Sequence, residues 1–150
     1  RTLKAVIPGG SSVPIMTAAE TEDCCLDYEG VVARGSMLGS AGMIVMDDST
    51  DMVYQIWRLA RFYAHESCDQ CTQCREGTAW TTKILERILA GKGKAADLDL
   101  LLSLSENMTG KTICVLSDSC AAPIVSGIAK FRSEFDAYLS GARQPALAMA

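Results

Sequence analysis

Residues 68–74 read CDQCTQC, three thiols within seven residues, and REGTAW follows at once. Cys68, Cys71 and Cys74 are spaced C-x2-C-x2-C. That spacing wraps backbone around one side of an iron–sulfur cube, so that each thiolate reaches a different iron; the bacterial ferredoxin run opens in the same way. Structural zinc usually takes two separated CxxC or CxxH pairs, one per knuckle, and a third cysteine only three residues on is not its normal choice, so the spacing favours a cubane over zinc. A fold that accommodates this stretch must therefore supply a fourth ligand from elsewhere.

The chain has seven cysteines, an odd number, and they are clustered where disulfide partners would be spread. Metal-binding thiolates in a reducing compartment account for this better than a secreted scaffold. The candidates for the fourth ligand are Cys24, Cys25, Cys114 and Cys120. Adjacent residues rarely both aim at one ion, and Cys24 and Cys25 are read as free structural thiols. Cys114 stands in TICVL, where a loop can close the open side of the site, and is the choice that the residues alone favour. Cys120, six residues later, remains within reach on spacing.

An oxidised cube with four thiolates carries about two negative charges, which favours helix N-termini and backbone N–H groups around it. Cys74 is expected where a helix begins, with Arg75 and Lys111 as possible countercharges. Asp69, a carboxylate between two ligands, opposes the addition of an electron. The only histidine, His65, sits three residues before Cys68 but shares a polar helix face with Arg58 and Arg61, and is read as solvated. No HExxH or Walker motif and no catalytic Ser–His–Asp set is present. A fully ligated cluster leaves no open iron, so the expected local task is one-electron transfer without bond-making chemistry.

With 150 residues, 49% apolar and 21% charged, the chain is expected to be globular with a real core. A net charge of −4 without a basic run argues against a nucleic-acid footprint. No apolar stretch approaches the ~20 residues that span a bilayer, and no secretory signal is visible. The chain opens on Arg1 and is expected to be the C-terminal part of a longer polypeptide.

The expected class is α+β: a small α+β unit over 1–48, a four-helix-bundle iron–sulfur domain over 49–140, and a flexible tail over 141–150. In the first unit, Leu3–Pro8 and Met43–Asp47 read as strands, while 17–24 and 27–34 each supply one or two helical turns. In the second, Ser49, Thr50 and Asp51 offer N-caps to a helix over 52–66, whose apolar stripe is Val53, Ile56, Trp57, Ala60 and Tyr63. A second helix is expected just after Cys74 and to Leu89, with Trp80 on its buried side. A short third helix runs over 98–105 with Asp97 as cap, and a last helix is entered at Pro123, burying Ile124, Ile128, Phe131, Phe135 and Leu139.

HESCDQCTQCREGT at 65–78, with MVYQIWRLARFY before it and TICVLSDSCAAP after it, resembles the flavin- and NADH-binding F subunits of bacterial NADH–quinone oxidoreductase, respiratory complex I. KAVIPGGSSVP at 4–14 and GSMLGSAGMIVMDD at 35–48 resemble the soluble-ligand-binding β-grasp (SLBB) region of the same subunits. The resemblance implies a 4Fe–4S cluster held by Cys68, Cys71, Cys74 and Cys114, fed by FMN that NADH has reduced in an upstream domain. A fragment without that domain would not oxidise NADH. The implied partners are a thioredoxin-like iron–sulfur subunit and the large multi-cluster iron–sulfur subunit of the peripheral arm, with no nucleic acid and no direct membrane insertion. The implied place is cytoplasmic, peripheral to the inner membrane. Diaphorase subunits of NAD-linked hydrogenases and formate dehydrogenases share these features, and a zinc-stapled helical interaction domain is the non-redox alternative. Three positions depart from the family pattern: Asp69 stands where Gly is common, Gln73 where Pro is common, and Cys120 where a small residue such as Ala is usual. Asp tolerates left-handed backbone better than most residues, so the turn at 69 is expected to survive.

Overall fold

The structure, a computed structural model, describes residues 1–147 of the chain. It divides into two compact units, Arg1–Thr50 and the remainder from Asp51 onward.

The first unit is built on a three-stranded antiparallel sheet in the order β2-β1-β3, from β1 (Leu3–Ile7), β2 (Met16–Thr17) and β3 (Ile44–Asp47). Central β1 buries Ala5, Val6 and Ile7. Two short helices follow β2. α1 (Ala18–Thr21) opens with a capping box, in which the Glu20 N–H bonds the Thr17 hydroxyl and the Glu20 carboxylate accepts from the Thr17 N–H at 2.7 Å. α2 (Tyr28–Ala33) is capped by Asp27, which accepts from the Gly30 N–H at 2.6 Å. Gly9 is required by close approach: a Cβ there would stand 2.4 Å from the carbonyl oxygen of Met37.

The second unit consists of α3 (Met52–Glu66), α4 (Thr72–Leu89), α5 (Ala96–Met108), α6 (Leu116–Lys130) and α7 (Arg132–Leu139). α3 packs on α4 and α6, and α5 packs on the same two helices from its own side. The predicted stripe of α3 is buried in full, and each large apolar side chain removed from water in this way contributes about 1.5–3 kcal/mol. The Trp57 indole N–H donates to Glu86 Oε1 at 3.3 Å, tying α3 to α4.

Several expectations are corrected. α4 begins at Thr72 rather than after Cys74, so Cys74 lies inside its first turn. α6 begins at Leu116, and Pro123 sits in its interior, not its first turn. The helix expected to run through to Leu139 breaks at Phe131, whose φ of −121° and ψ of 30° leave the helical region. Trp80 is half exposed, because the buried ladder of α4 runs through Cys74, Gly77, Thr78, Thr81, Ile84, Leu85 and Ile88 and leaves it on the flank. Residues 141–147, expected to have little to order them, carry specific bonds. Arg143 pairs with Asp51 at 3.3 Å and Glu134 at 3.1 Å, and the Ala146 N–H donates to the Leu89 carbonyl at 2.8 Å. Residues 148–150 of that expected tail lie outside the described residues.

Candidate metal centre

α3 ends at Ser67, whose extended backbone throws the chain out of the helix. The next residues form a knuckle, and the following helix starts at once with Cys71 as its N-cap. Asp69 adopts φ +61°, the left-handed turn expected of it. The knuckle is held from both sides. The Asp69 N–H donates to Ser67 Oγ at 3.3 Å, and Arg75 Nη1 donates to the Asp69 carbonyl at 2.7 Å. Cys68 is exposed, Cys71 half-buried and Cys74 buried. The Cys74 carbonyl accepts from the buried Thr78 hydroxyl at 2.8 Å, and Cys74 Sγ stands 3.5 Å from Ser67 Oγ.

A second segment meets this one. Residues 109–115 connect α5 to α6, and the Ile113 N–H donates to Cys71 Sγ at 3.5 Å. The loop is pinned beneath by Ser117, which is fully buried; its hydroxyl donates to the Met108 carbonyl at 3.2 Å and lies 2.6 Å from the Thr112 hydroxyl. Thr112 Oγ1 also lies 2.7 Å from the Cys114 carbonyl oxygen, and the Gly110 N–H donates to Asp118 Oδ1 at 2.9 Å. The loop thereby carries an exposed Cys114 to the neighbourhood of Cys71.

The remaining sequence candidates fall elsewhere. Cys120 is fully buried in α6, and its thiol is pushed up to about 12, first by burial and then by the nearby Cys74. Cys24 and Cys25 belong to the first unit. His65 is exposed, with Nδ1 3.0 Å from Glu66 Oε1. Lys111 reaches Asn107 at 3.4 Å.

All seven cysteines are free thiols. Among the described residues no three Cys, His, Asp or Glu side chains converge as they would on a single metal ion. The two segments share a different property. Neither the N-cap Cys71 of α4 nor the N-cap Val115 of α6 makes a side-chain capping bond, so first-turn N–H groups of both helices have no side-chain acceptor there. Uncapped N-termini beside soft thiolate donors suit an anionic iron–sulfur cluster. The donor set and its surroundings fit such a group.

Ser67, the Ile113 amide and the Thr112–Ser117 pair belong to no motif legible in the sequence. Only Ser67 leaves a signal there, as a small hydroxyl residue between a helical pattern and the first cysteine.

Residues 54–138 match the family model described as the NADH-ubiquinone oxidoreductase-F iron-sulfur binding region. The chain is 48% identical over 134 residues to the F 1 subunit of the NADH-quinone oxidoreductase of Rhizobium meliloti (strain 1021), covering 89% of this chain and 31% of that protein. It is 47% identical over 143 residues to the corresponding F subunit of Mycobacterium bovis (strain ATCC BAA-935 / AF2122/97), covering 95% and 32%. The chain thus spans about a third of the length of these curated relatives. Among solved structures, an NAD+-reducing [NiFe]-hydrogenase in the H2-reduced state superposes with a TM-score of 0.82 at 33% identity, covering 92% of this chain and 23% of that one.

Proposed function

Because the chain belongs to the NADH-ubiquinone oxidoreductase-F iron–sulfur binding family, we propose that its second unit is a one-electron relay built around a 4Fe–4S cluster held by Cys68, Cys71, Cys74 and Cys114. The observation that carries the ligand set is the approach of the Ile113 amide to Cys71 Sγ, which brings the loop bearing Cys114 to the CxxCxxC knuckle. When bound, such a cluster accepts and passes on single electrons.

The chain's own residues define the rest of the task. First-turn amides of α4 and α6 stabilise negative charge at the thiolates. Arg75 fixes the knuckle through the Asp69 carbonyl, and the buried Thr78 holds the first turn of α4 at Cys74. Cys74 is shielded from water while Cys68 and Cys114 stay near the surface, where a donor or acceptor can approach.

In this reading α3, α4, α5 and α6 form a four-helix bundle within a domain spanning about 49–140, and residues 1–48 are a β-grasp packing element that takes no ligand. Electrons reach the bundle from FMN reduced by NADH, both bound by another part of the subunit. They leave through the thioredoxin-like or the multi-cluster iron–sulfur subunit of a complex peripheral to the inner membrane. No helix among the described residues is long and apolar enough to cross a membrane. The likeness to the NAD+-reducing hydrogenase favours a second reading, the same relay in a hydrogenase diaphorase subunit, which the co-purifying subunits would distinguish.

The test is low-temperature EPR of the dithionite-reduced full-length subunit, alongside iron and acid-labile sulfide content. A brown protein with four irons and a reduced-cluster signal is the expected result. A folded protein that carries stoichiometric zinc, with no iron and no acid-labile sulfide, would overturn the proposal.

A further inference from the structure

We infer that the Ser67 hydroxyl is a positioning residue that donates a hydrogen bond to the sulfur of Cys74 and thereby holds up the reduction potential of the cluster; the inference rests on Cys74 being a ligand.

Among the described residues Ser67 Oγ has two hydrogen-bond partners. The Asp69 N–H, 3.3 Å away, has only one way to interact with it, as a donor. Cys74 Sγ, 3.5 Å away, has either role as a thiol, but as a metal-bound thiolate it carries no proton and can only accept. With the Asp69 N–H donating into the oxygen, the serine's own hydrogen is left for the sulfur. The result is a directed chain, from Asp69 N–H to Ser67 Oγ to Cys74 Sγ, and each donor in it sharpens the next.

The scaffold holds this arrangement in place. Ser67 is the C-cap of α3, and Cys74 is buried in the first turn of α4. The link between them is fastened by Arg75, whose Nη1 donates to the Asp69 carbonyl at 2.7 Å. A donor aimed at a thiolate stabilises the more negative, reduced form more than the oxidised one, because charge-assisted hydrogen bonds strengthen with the charge on the acceptor. Hydrogen bonds to the sulfurs are among the determinants of cluster potential. Asp69 therefore acts in two opposing ways: its carboxylate disfavours the added electron, while its backbone N–H orients the hydroxyl that favours it.

The experiment is a potentiometric EPR titration of the full-length subunit carrying Ser67→Ala, Ser67→Thr or Ser67→Cys, with iron and sulfide measured on every sample. Ser67→Ala is expected to keep its iron and to shift the reduction equilibrium about tenfold toward the oxidised form, a fall of about 59 mV for one electron. Ser67→Thr, which keeps the hydroxyl, should restore the wild-type potential. Should Ser67→Ala lose its iron, Ser67→Cys, a weaker donor, must still titrate below wild type. Equal potentials in wild type and Ser67→Ala at equal iron content, a Ser67→Thr protein as low as Ser67→Ala, or an unshifted Ser67→Cys would each overturn the inference while leaving the ligand set standing. Wild type without iron would instead remove the ligand set itself, and this inference with it.

Discussion

The backbone N–H of Ile113 meets the sulfur of Cys71 at 3.5 Å across 42 residues of chain. Cys114, one residue on, is exposed and flanked by a helix that lacks a side-chain cap, while Cys120 is sealed inside that helix. Cys114→Ser is therefore expected to lose most of its iron and its reduced-cluster EPR signal. Cys120→Ala should retain both and destabilise the fold by about 1 kcal/mol, as small truncations in a packed core do. Iron content of the two variants side by side decides this, and a Cys120→Ala protein without iron would move the fourth ligand from the loop to the helix.

Asp69 occupies a left-handed turn that glycine adopts without strain, so Asp69→Gly removes a carboxylate from between the two proposed ligands Cys68 and Cys71 and leaves the backbone bonds to Ser67 and Arg75 in place. The reduction potential is expected to rise. Since Asp69 is exposed, the difference from wild type should shrink as salt is raised from about 10 mM toward 1 M, where the screening length drops to roughly 3 Å. A rise that ignored ionic strength would point to altered hydrogen bonding, and an unchanged or lower potential would remove the electrostatic role of Asp69.

The parts of the molecule that are legible in the sequence are those where one local rule acts alone. α3 has N-cap candidates at Ser49, Thr50 and Asp51 and an apolar stripe at helical spacing, and it forms over the expected residues with Asp51 as its cap. The turn at Asp69 follows from the short list of residues that tolerate a positive φ. Trp80 misleads because size and apolarity say "core", whereas the small residues Gly77, Thr78 and Thr81 form the contact face of α4. Pro123 misleads because proline favours a helix's first turn, yet this helix already begins at Leu116 and tolerates the lost N–H. The bonds of Arg143 to Asp51 and Glu134 join residues 92 and 9 positions apart, and no local pattern announces such pairs.

Arg87 grips Asp97 with Nε and Nη2, at 3.1 Å and 2.5 Å, and the Lys94 N–H adds a third bond at 2.8 Å. Burial pushes the Asp97 carboxyl up, but the Arg87 guanidinium and the Lys94 amide outweigh it and hold the group below its ordinary value. A depressed carboxyl stabilises the fold at pH values above the unfolded pKa, and that contribution is lost as pH falls through the folded one. Arg87→Ala strands a buried carboxylate and should cost about 2 kcal/mol at pH 7, discounted for the partial exposure of the arginine. Urea midpoints at pH 7 and below 4 should show the gap to wild type closing in acid; a constant gap would mean that Arg87 acts through packing alone.

Tyr138 closes the other end of α3. Its hydroxyl donates to Asp51 Oδ2 at 2.6 Å, while Asp51 Oδ1 caps the helix by accepting from the Tyr54 N–H at 3.0 Å. Burial, followed by the bond to Asp51, pushes the phenol well above its ordinary value of 10.0. The unfolded chain therefore gives up this proton first. The stabilisation is whole below about pH 10 and is lost as pH rises toward the folded value. Tyr138→Phe should cost about 1 kcal/mol at neutral pH, the net worth of a hydrogen bond. Helical circular dichroism in urea, repeated at increasing pH, should show wild type losing its advantage over Tyr138→Phe above pH 10, because phenylalanine has no proton to lose. If the advantage persisted undiminished through that range, the alkaline sensitivity of the fold would have to lie in another group, with the buried Cys120 thiol next in line.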